Sequence, residues 1–503
     1  MTIDDFLKIP TLKNFSEEES LNILGNQIDQ SFREKRIDGL KKALNLCSKV
    51  HVPDHFKLQS SLAYYFISVA WSDIRQFQSQ NENLWNWDHR ELEKEIVNLR
   101  LAIKNLPSQS IEDSANRLCQ FHTNLGNAHN FSGRFVAAFE HWDNALLINP
   151  LFGMAIGSKG NSMIYHSLNS LYDEGHQSIY LGLGYANLKK AIDLPLESNA
   201  AEGYIEAIKD LEKSYPELKD YKPDFSSQTD YKTHEEKQYR QWCLSRKLFL
   251  NPLNDLQDIE IADHDPFALP DMIIHNSKAG SFHSFFNQIK QEYIHARLLL
   301  FQGLNNDQEH FADNGVLKYD LFDSTVNTIR TEQIKTSYRI SYSLFDKMAY
   351  FLNYYFELGI AEHKVNFRTV WFSNKNILRS KFTNKTNLML RALYWVHKDL
   401  FYKENTFKSS LEPDAAELAD IRNHLEHKSL RIFQNSKLNA ENPDFLKDKL
   451  SYSIEETMFN SKTLKILRLA RESLIYLSLS IRWEERKGSS TTSRFFQVPT
   501  QRK

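Results

Sequence analysis

CQFHTNLGNAHNFSGRFVAAFEHWDNALLINPLF, residues 119–152, is the stretch on which the reading of the fold turns. Its apolar side chains recur at three- and four-residue spacing, so it reads as a helical hairpin. Gly126 and Ala138 let the two helices approach closely, Trp142 and Leu146 fill the space between them, and Pro150 ends the second helix. The same spacing runs upstream through IDGLKKALNLCSKV (37–50), KLQSSLAYYFISVAW (57–71) and LEKEIVNLRLAIKNLP (92–107), while the first 35 residues are polar and weakly periodic.

Leu125-Gly126, Ala138, Trp142, Ala145 and Pro150 fall at the positions by which 119–152 resembles a tetratricopeptide repeat. A looser unit follows around Gly160 and at ANLKKAIDLP (186–195), with an insertion near 171–184, and residues 61–107 keep the two-helix shape without most of the signature. The resemblance implies an array of hairpins whose groove takes a protein or peptide partner. The alternative is an array that only packs on the rest of the chain.

Downstream, residues 214–236 are polar with two prolines, as a linker would be, and NPLNDLQDIEIADHDPFALP (251–270) lacks helical period and reads as an extended strap. SFHSFFNQIKQEYIHARLLLFQGL (281–304) begins an amphipathic helix. Four later segments have the pattern of bundle helices: 331–359, 386–402, DAAELADIRNHLEHKSLRI (414–432) and 461–487. The expected fold class is all-α: an N-terminal segment (1–35), a tetratricopeptide-like repeat region (36–215), a linker and strap (216–265), a helical-bundle domain (266–487) and a basic tail (488–503).

Composition supports helices. Gly 16 and Pro 13 in 503 residues are too few for a large β-protein or a glycine-loop nucleotide enzyme, and 41% hydrophobic with 25% charged residues is ordinary for a globular chain. Phe 33, Tyr 22 and Trp 8 argue against disorder and coiled-coil rods. Cys47, Cys119 and Cys243 lie far apart without a C-x-x-C pair, which points to a reducing, cytoplasmic setting. The start MTIDDFLKIPTLKNF lacks a signal pattern, and no run of about 18 apolar residues predicts a membrane span. The net charge of -2 hides an asymmetry: residues 331–503 carry about +10 and residues 1–330 about -12, which together return -2. Such a basic half suits a nucleic-acid partner, although helical domains also carry such charge without binding anything.

The chemistry concentrates at Asp420-Ile421-Arg422-Asn423-His424-Leu425-Glu426-His427. At about 100° per residue, Leu418, Ile421 and Leu425 face the core, while Asn423 and His427 share the opposite face with Arg422 on the flank. These three types suffice for metal-free RNA cleavage. The imidazole of His427 serves as acid or base near neutral pH, Arg422 holds the phosphate, and Asn423 orients either group. In-line cleavage uses both a base and an acid, which two such helices would supply in a two-fold dimer. The spacing Arg-x-x-x-x-His is expected about once by chance and recurs at Arg117 and His122; the adjacent Asn423 cuts that chance about twentyfold. A surface ion pair between Arg422 and Glu426 is the competing reading.

R-N-x-x-x-H in a bundle helix, with YRISYSLFDKMAYFLN, LRALYWVHKDLF and LADIRNHLEHK around it, is similar to the HEPN family over roughly 265–485, and to a subgroup with N-terminal tetratricopeptide-type repeats. That resemblance implies a HEPN-type four-helix bundle and a metal-independent endoribonuclease active as a homodimer. It further implies a toxin or effector of prokaryotic antiviral defence, with RNA as substrate. By it Arg422, Asn423 and His427 become the catalytic positions; His424, a spare polar contact well around the wheel, and Glu426 are supporting candidates read from the segment itself. No cofactor is implied.

Other candidates are poorer. His51 and His55 flank Pro53 without a third ligand, His234-Glu235-Glu236 lacks a second histidine, and no cluster completes a metal site around His424 and His427. Gln291, Glu292 and Arg297 line either the bundle or a site. The rival function is a non-catalytic adaptor in which the repeats grip a partner and the HEPN module dimerises or binds a nucleotide.

Overall fold

The computed structural model describes residues 1–47, 57–79, 86–107, 112–169, 172–222, 225, 231–256, 259–272, 281–305, 310–319, 324–374, 377–383, 386–401, 411–434 and 451–488. Among these the regular structure is helical apart from two short two-stranded ladders and two isolated bridges. It divides into two compact units, residues 1–223 with 409–413, and residues 224–408 with 414–503. His51, His55 and residues 489–503 of the basic tail lie outside the described residues.

The first unit is a run of helices: α1 (Ile3–Lys8), α2 (Glu17–Arg33), α3 (Ile37–Cys47), α4 (Lys57–Ser79), α5 (Arg90–Asn105), α6 (Glu112–Ser132), α7 (Phe135–Ile148), α8 (Gly153–Leu168), α9 (Glu174–Ile192) and α10 (Ser198–Ser214). The weakly periodic N-terminus forms α1 and α2. Ser16 and Glu19 form a reciprocal capping box at the start of α2, and Leu21, Leu24 and Ile28 bury its inner face. Successive helices then pair as α4–α5, α6–α7 and α8–α9, with α5 on α6 and α7 on α8 linking one hairpin to the next.

Residues 119–152 form the α6–α7 hairpin. A Cβ on Gly126 would lie 2.6 Å from the indole nitrogen of Trp142, so only glycine admits the indole there. Trp142 is buried and donates to Asn127 Oδ1 at 3.1 Å. Leu146 is only half-buried, while Phe121, Leu125 and Phe139 are buried in the hairpin with the indole. The helix α7 ends at Ile148, just ahead of Pro150. Residues 174–184, within the stretch expected as an insertion, form the first half of α9, whose start Asp173 caps by accepting from His176 N–H. Tight contact with α8 explains that continuity: a Cβ on Gly184 would stand 2.9 Å from the carbonyl oxygen of Gly160.

In the second unit, part of the expected linker and strap is helical, α11 (His234–Ser245). The main helices are α12 (Ser281–Asn305) and α13 (Ile329–Tyr355). A small hairpin, β1 (Phe372–Asn374) with β2 (Ile377–Leu378), precedes the short α14 (Ser380–Thr383) and then α15 (Leu388–Leu400). After these come α16 (Ala415–His427), β3 (Ser429–Phe433), β4 (Ser451–Glu455) and α17 (Glu456–Gly488). The four segments expected as bundle helices are all helical, but their packing differs from a bundle built on those four. Helix α12 packs on α13 and α17, and α15 packs on α17, while the shorter α16 leans on α13 and α15. The segment 414–432 also stops being helical at His427. Leu430 and Ile432 are buried on alternate positions of β3, which pairs in parallel with β4 from Ser429–Ser451 to Phe433–Glu455. On its other edge, Val326 N–H donates to Ile432 O at 2.8 Å.

Two buried arginines pin the strap to the bundle. From α12, Arg297 meets both oxygens of Asp265 at 2.8 and 2.7 Å and donates to Leu248 O. From α17, Arg471 meets both oxygens of Asp255 at 2.7 and 3.0 Å and donates to Asn251 O. A guanidinium suits this role because its fork satisfies a carboxylate and strap carbonyls together. Arg297 therefore belongs to the core, and Glu292 pairs with Lys347 on α13.

Candidate functional site

Helix α16 is positioned from three sides. Its apolar stripe Leu418, Ile421 and Leu425 is buried, and Tyr338 of α13 donates to Leu418 O at 2.7 Å. Arg339 Nη2 donates to Leu425 O at 2.5 Å, placing a cation on one of the carbonyls left open at the helix C-terminus. At the other end Lys462 of α17 pairs with Glu417 at 2.6 Å, and Tyr452 of β4 donates to Glu417 at 3.0 Å.

With the stripe fixed, the helical period dictates the rest. Asn423, Glu426 and His427 are exposed, and Arg422 is half-buried on the flank. Arg422 Nη1 donates to Asn423 Oδ1 at 3.3 Å, and its guanidinium stands 6.0 Å from the centre of the Tyr342 ring. Among the described residues it forms no ion pair with Glu426, the partner that a purely structural reading requires. The structure thus joins Arg422 and Asn423 directly and sets His427 one turn further along the exposed face, where no hydrogen bond ties it to either.

A cleft of about 260 Å3 lies on the Arg422 side of α16, lined by Arg339, Tyr342, Asp346 and Lys347 of α13 together with Arg422 and Glu426. Burial pushes the Asp346 carboxyl above its ordinary range, opposed by the N–H of Phe367 and by the charge of Arg422. Burial likewise raises the Tyr342 hydroxyl, again opposed by Arg422. One wall of the cleft therefore holds a guanidinium with a hydroxyl and a carboxyl beneath it, open to an anion from solvent.

His424 is turned away from Asn423 and His427. Its Nδ1 is 2.8 Å from Asp420 O and its ring leans on Tyr452 at 5.5 Å. A second cleft, of about 420 Å3, opens on that side. The α13 contribution to both clefts escaped the sequence reading, although Lys335, Arg339, Tyr342, Asp346 and Tyr350 form a polar stripe at helical spacing. The chance match is disposed of by burial: His122 sits with its Nδ1 3.2 Å from His141 Nδ1, and burial pushes it down to about 4. Among the described residues no group of three His, Cys, Asp or Glu side chains is placed to hold a metal ion.

Residues 274–484 match the family model described as LA2681-like HEPN, so the second unit carries a HEPN domain that spans α12 to α17 and includes the Arg422–His427 segment. No curated protein and no solved structure matches the chain.

Proposed function

We propose that the HEPN domain is a metal-independent endoribonuclease and that Arg422, Asn423 and His427 carry the reaction. The observation that bears this reading is a helix pinned on three sides that still presents Asn423 and His427 to solvent, with Arg422 held by Asn423 instead of Glu426. Such an arrangement fixes the helix and leaves an amide, a guanidinium and an imidazole where a nucleic-acid strand can reach them.

In the reaction, the His427 imidazole takes the proton of an RNA 2′-hydroxyl as that oxygen attacks the adjacent phosphorus. The 5′-oxygen leaves, and the strand is left with a 2′,3′-cyclic phosphate and a 5′-hydroxyl. Arg422 stabilises the charge that grows on the non-bridging oxygens, with Asn423 holding its guanidinium in place. The leaving oxygen needs a proton, which the His427 of a second copy supplies if two α16 helices meet across a two-fold axis; the active form is then a homodimer. Glu426 lines the Arg422 cleft in support. The hairpin array of the first unit, tetratricopeptide-like at 119–152, binds a protein or peptide and governs when the domain cuts, as a toxin or antiviral effector would require.

The test is cleavage of RNA in excess chelator by wild type, Arg422→Ala and His427→Ala. The wild type cuts and both variants lose at least about a hundredfold in rate; alanine variants that cut like wild type refute the assignment.

A further inference from the structure

The cleft on the His424 side of α16 is built differently from the one beside Arg422. Among the described residues, Lys335 and Arg339 of α13, Lys428 at the end of α16 and Arg431 of β3 line it, with Glu332 as the carboxylate. Lys335 is buried at 8% exposure and pairs at 2.8 Å with Glu332, itself half in solvent. Arg339 spends Nη2 on Leu425 O, and its buried Nε finds no acceptor. A buried donor left open beside a surplus of positive charge marks a place for an anionic ligand.

The remaining wall is preorganised. Because Asp420 O can only accept, His424 donates from Nδ1, which leaves Nε2 as the free position of a ring held against Tyr452. At about 420 Å3 the cleft exceeds a bare phosphate and accommodates a nucleotide. Lys428, which lines the cleft, follows His427 directly in the chain. That adjacency favours a strand crossing the end of α16 over an isolated mononucleotide.

We propose that this cleft binds a backbone phosphate of single-stranded RNA, one nucleotide step from the bond cut at His427. Lys428 meets the phosphate, and His424 contacts the adjoining nucleotide. The inference rests on the ribonuclease reading for the identity of the strand, and on the cleft alone for its anionic character.

The experiment measures binding of a 12-nucleotide 2′-O-methyl RNA, which lacks the attacking hydroxyl, to the full chain by fluorescence anisotropy over a salt series. Lys428→Ala weakens binding about tenfold and lowers the salt slope by about one, while Lys428→Arg restores both. Unchanged affinity in Lys428→Ala overturns the proposal, as does displacement of the RNA by an equal nucleotide concentration of 5′-AMP, which would make a free nucleotide the ligand. The two readings fail separately. Lys428-dependent binding without cleavage of the 2′-hydroxyl RNA removes the chemistry and keeps the cleft; cleavage with Lys428-independent binding does the reverse.

Discussion

At the scale of residues, the state of Arg422 decides what α16 is for. A guanidinium four residues before a glutamate on a helix ordinarily closes a surface pair worth a few tenths of a kcal/mol. Here it donates to Asn423 and sits beside the Tyr342 ring above Asp346. If, as proposed, the fork bonds Asn423 and holds a phosphate at once, Arg422→Lys recovers less than about a tenth of the wild-type cleavage rate; steady-state kinetics on the same RNA read this directly. Recovery to wild-type rate would show that only the charge matters. The exposed face was legible in the sequence because Leu418, Ile421 and Leu425 left the wheel no other orientation. What escaped was the α13 side. Lys335, Arg339, Tyr342 and Asp346 lie in a 27-residue helix, where a polar stripe reads equally as a solvated face until β3 and α16 are seen to enclose it.

At the scale of elements, tertiary pairing overrides local pattern in the places where the reading from sequence fell short. SLRIF continues a helical period on paper, yet it becomes β3 because β4, distant in sequence, and Val326 supply its hydrogen bonds. The strap lacks a period of its own and is held by Arg297 and Arg471, partners remote in sequence that no local rule reveals. Arg471→Ala removes the guanidinium that pairs with buried Asp255, so urea unfolding should show a loss of about 3–5 kcal/mol; a loss under 1 kcal/mol would mean that the clamp is incidental. In the first unit, burial, with Asp29 and Glu95 adding like charge, pushes Asp73 of α4 up to about 7. An unfolded Asp ionises near 4, so the folded unit holds a proton that the unfolded chain releases. Stability from this group is intact below about pH 4 and falls as pH rises through about 7. Asp73→Asn therefore raises the melting temperature more at pH 8 than at pH 4.5, by thermal denaturation at the two values; an equal shift at both contradicts the raised acidity.

At the scale of the whole molecule, near-neutrality is the least informative number in the composition. An acidic stretch and a basic one cancel, and the basic one carries the Arg422–His427 segment inside the HEPN domain. Scarce glycine follows from the architecture, since hairpins such as α6–α7 need it where a ring or backbone crosses closely, as at Gly126, and little elsewhere. No described helix is long and apolar enough to cross a membrane. The central claim is that this domain cuts RNA by internal attack of a 2′-hydroxyl, with the imidazole of His427 moving the proton. The most direct measurement is the chemistry of the ends made from a defined RNA in chelator. The account predicts 2′,3′-cyclic phosphate and 5′-hydroxyl termini from the wild type and no such products from His427→Ala. Products ending in 3′-hydroxyl and 5′-phosphate, or the same cyclic ends from His427→Ala, would contradict it.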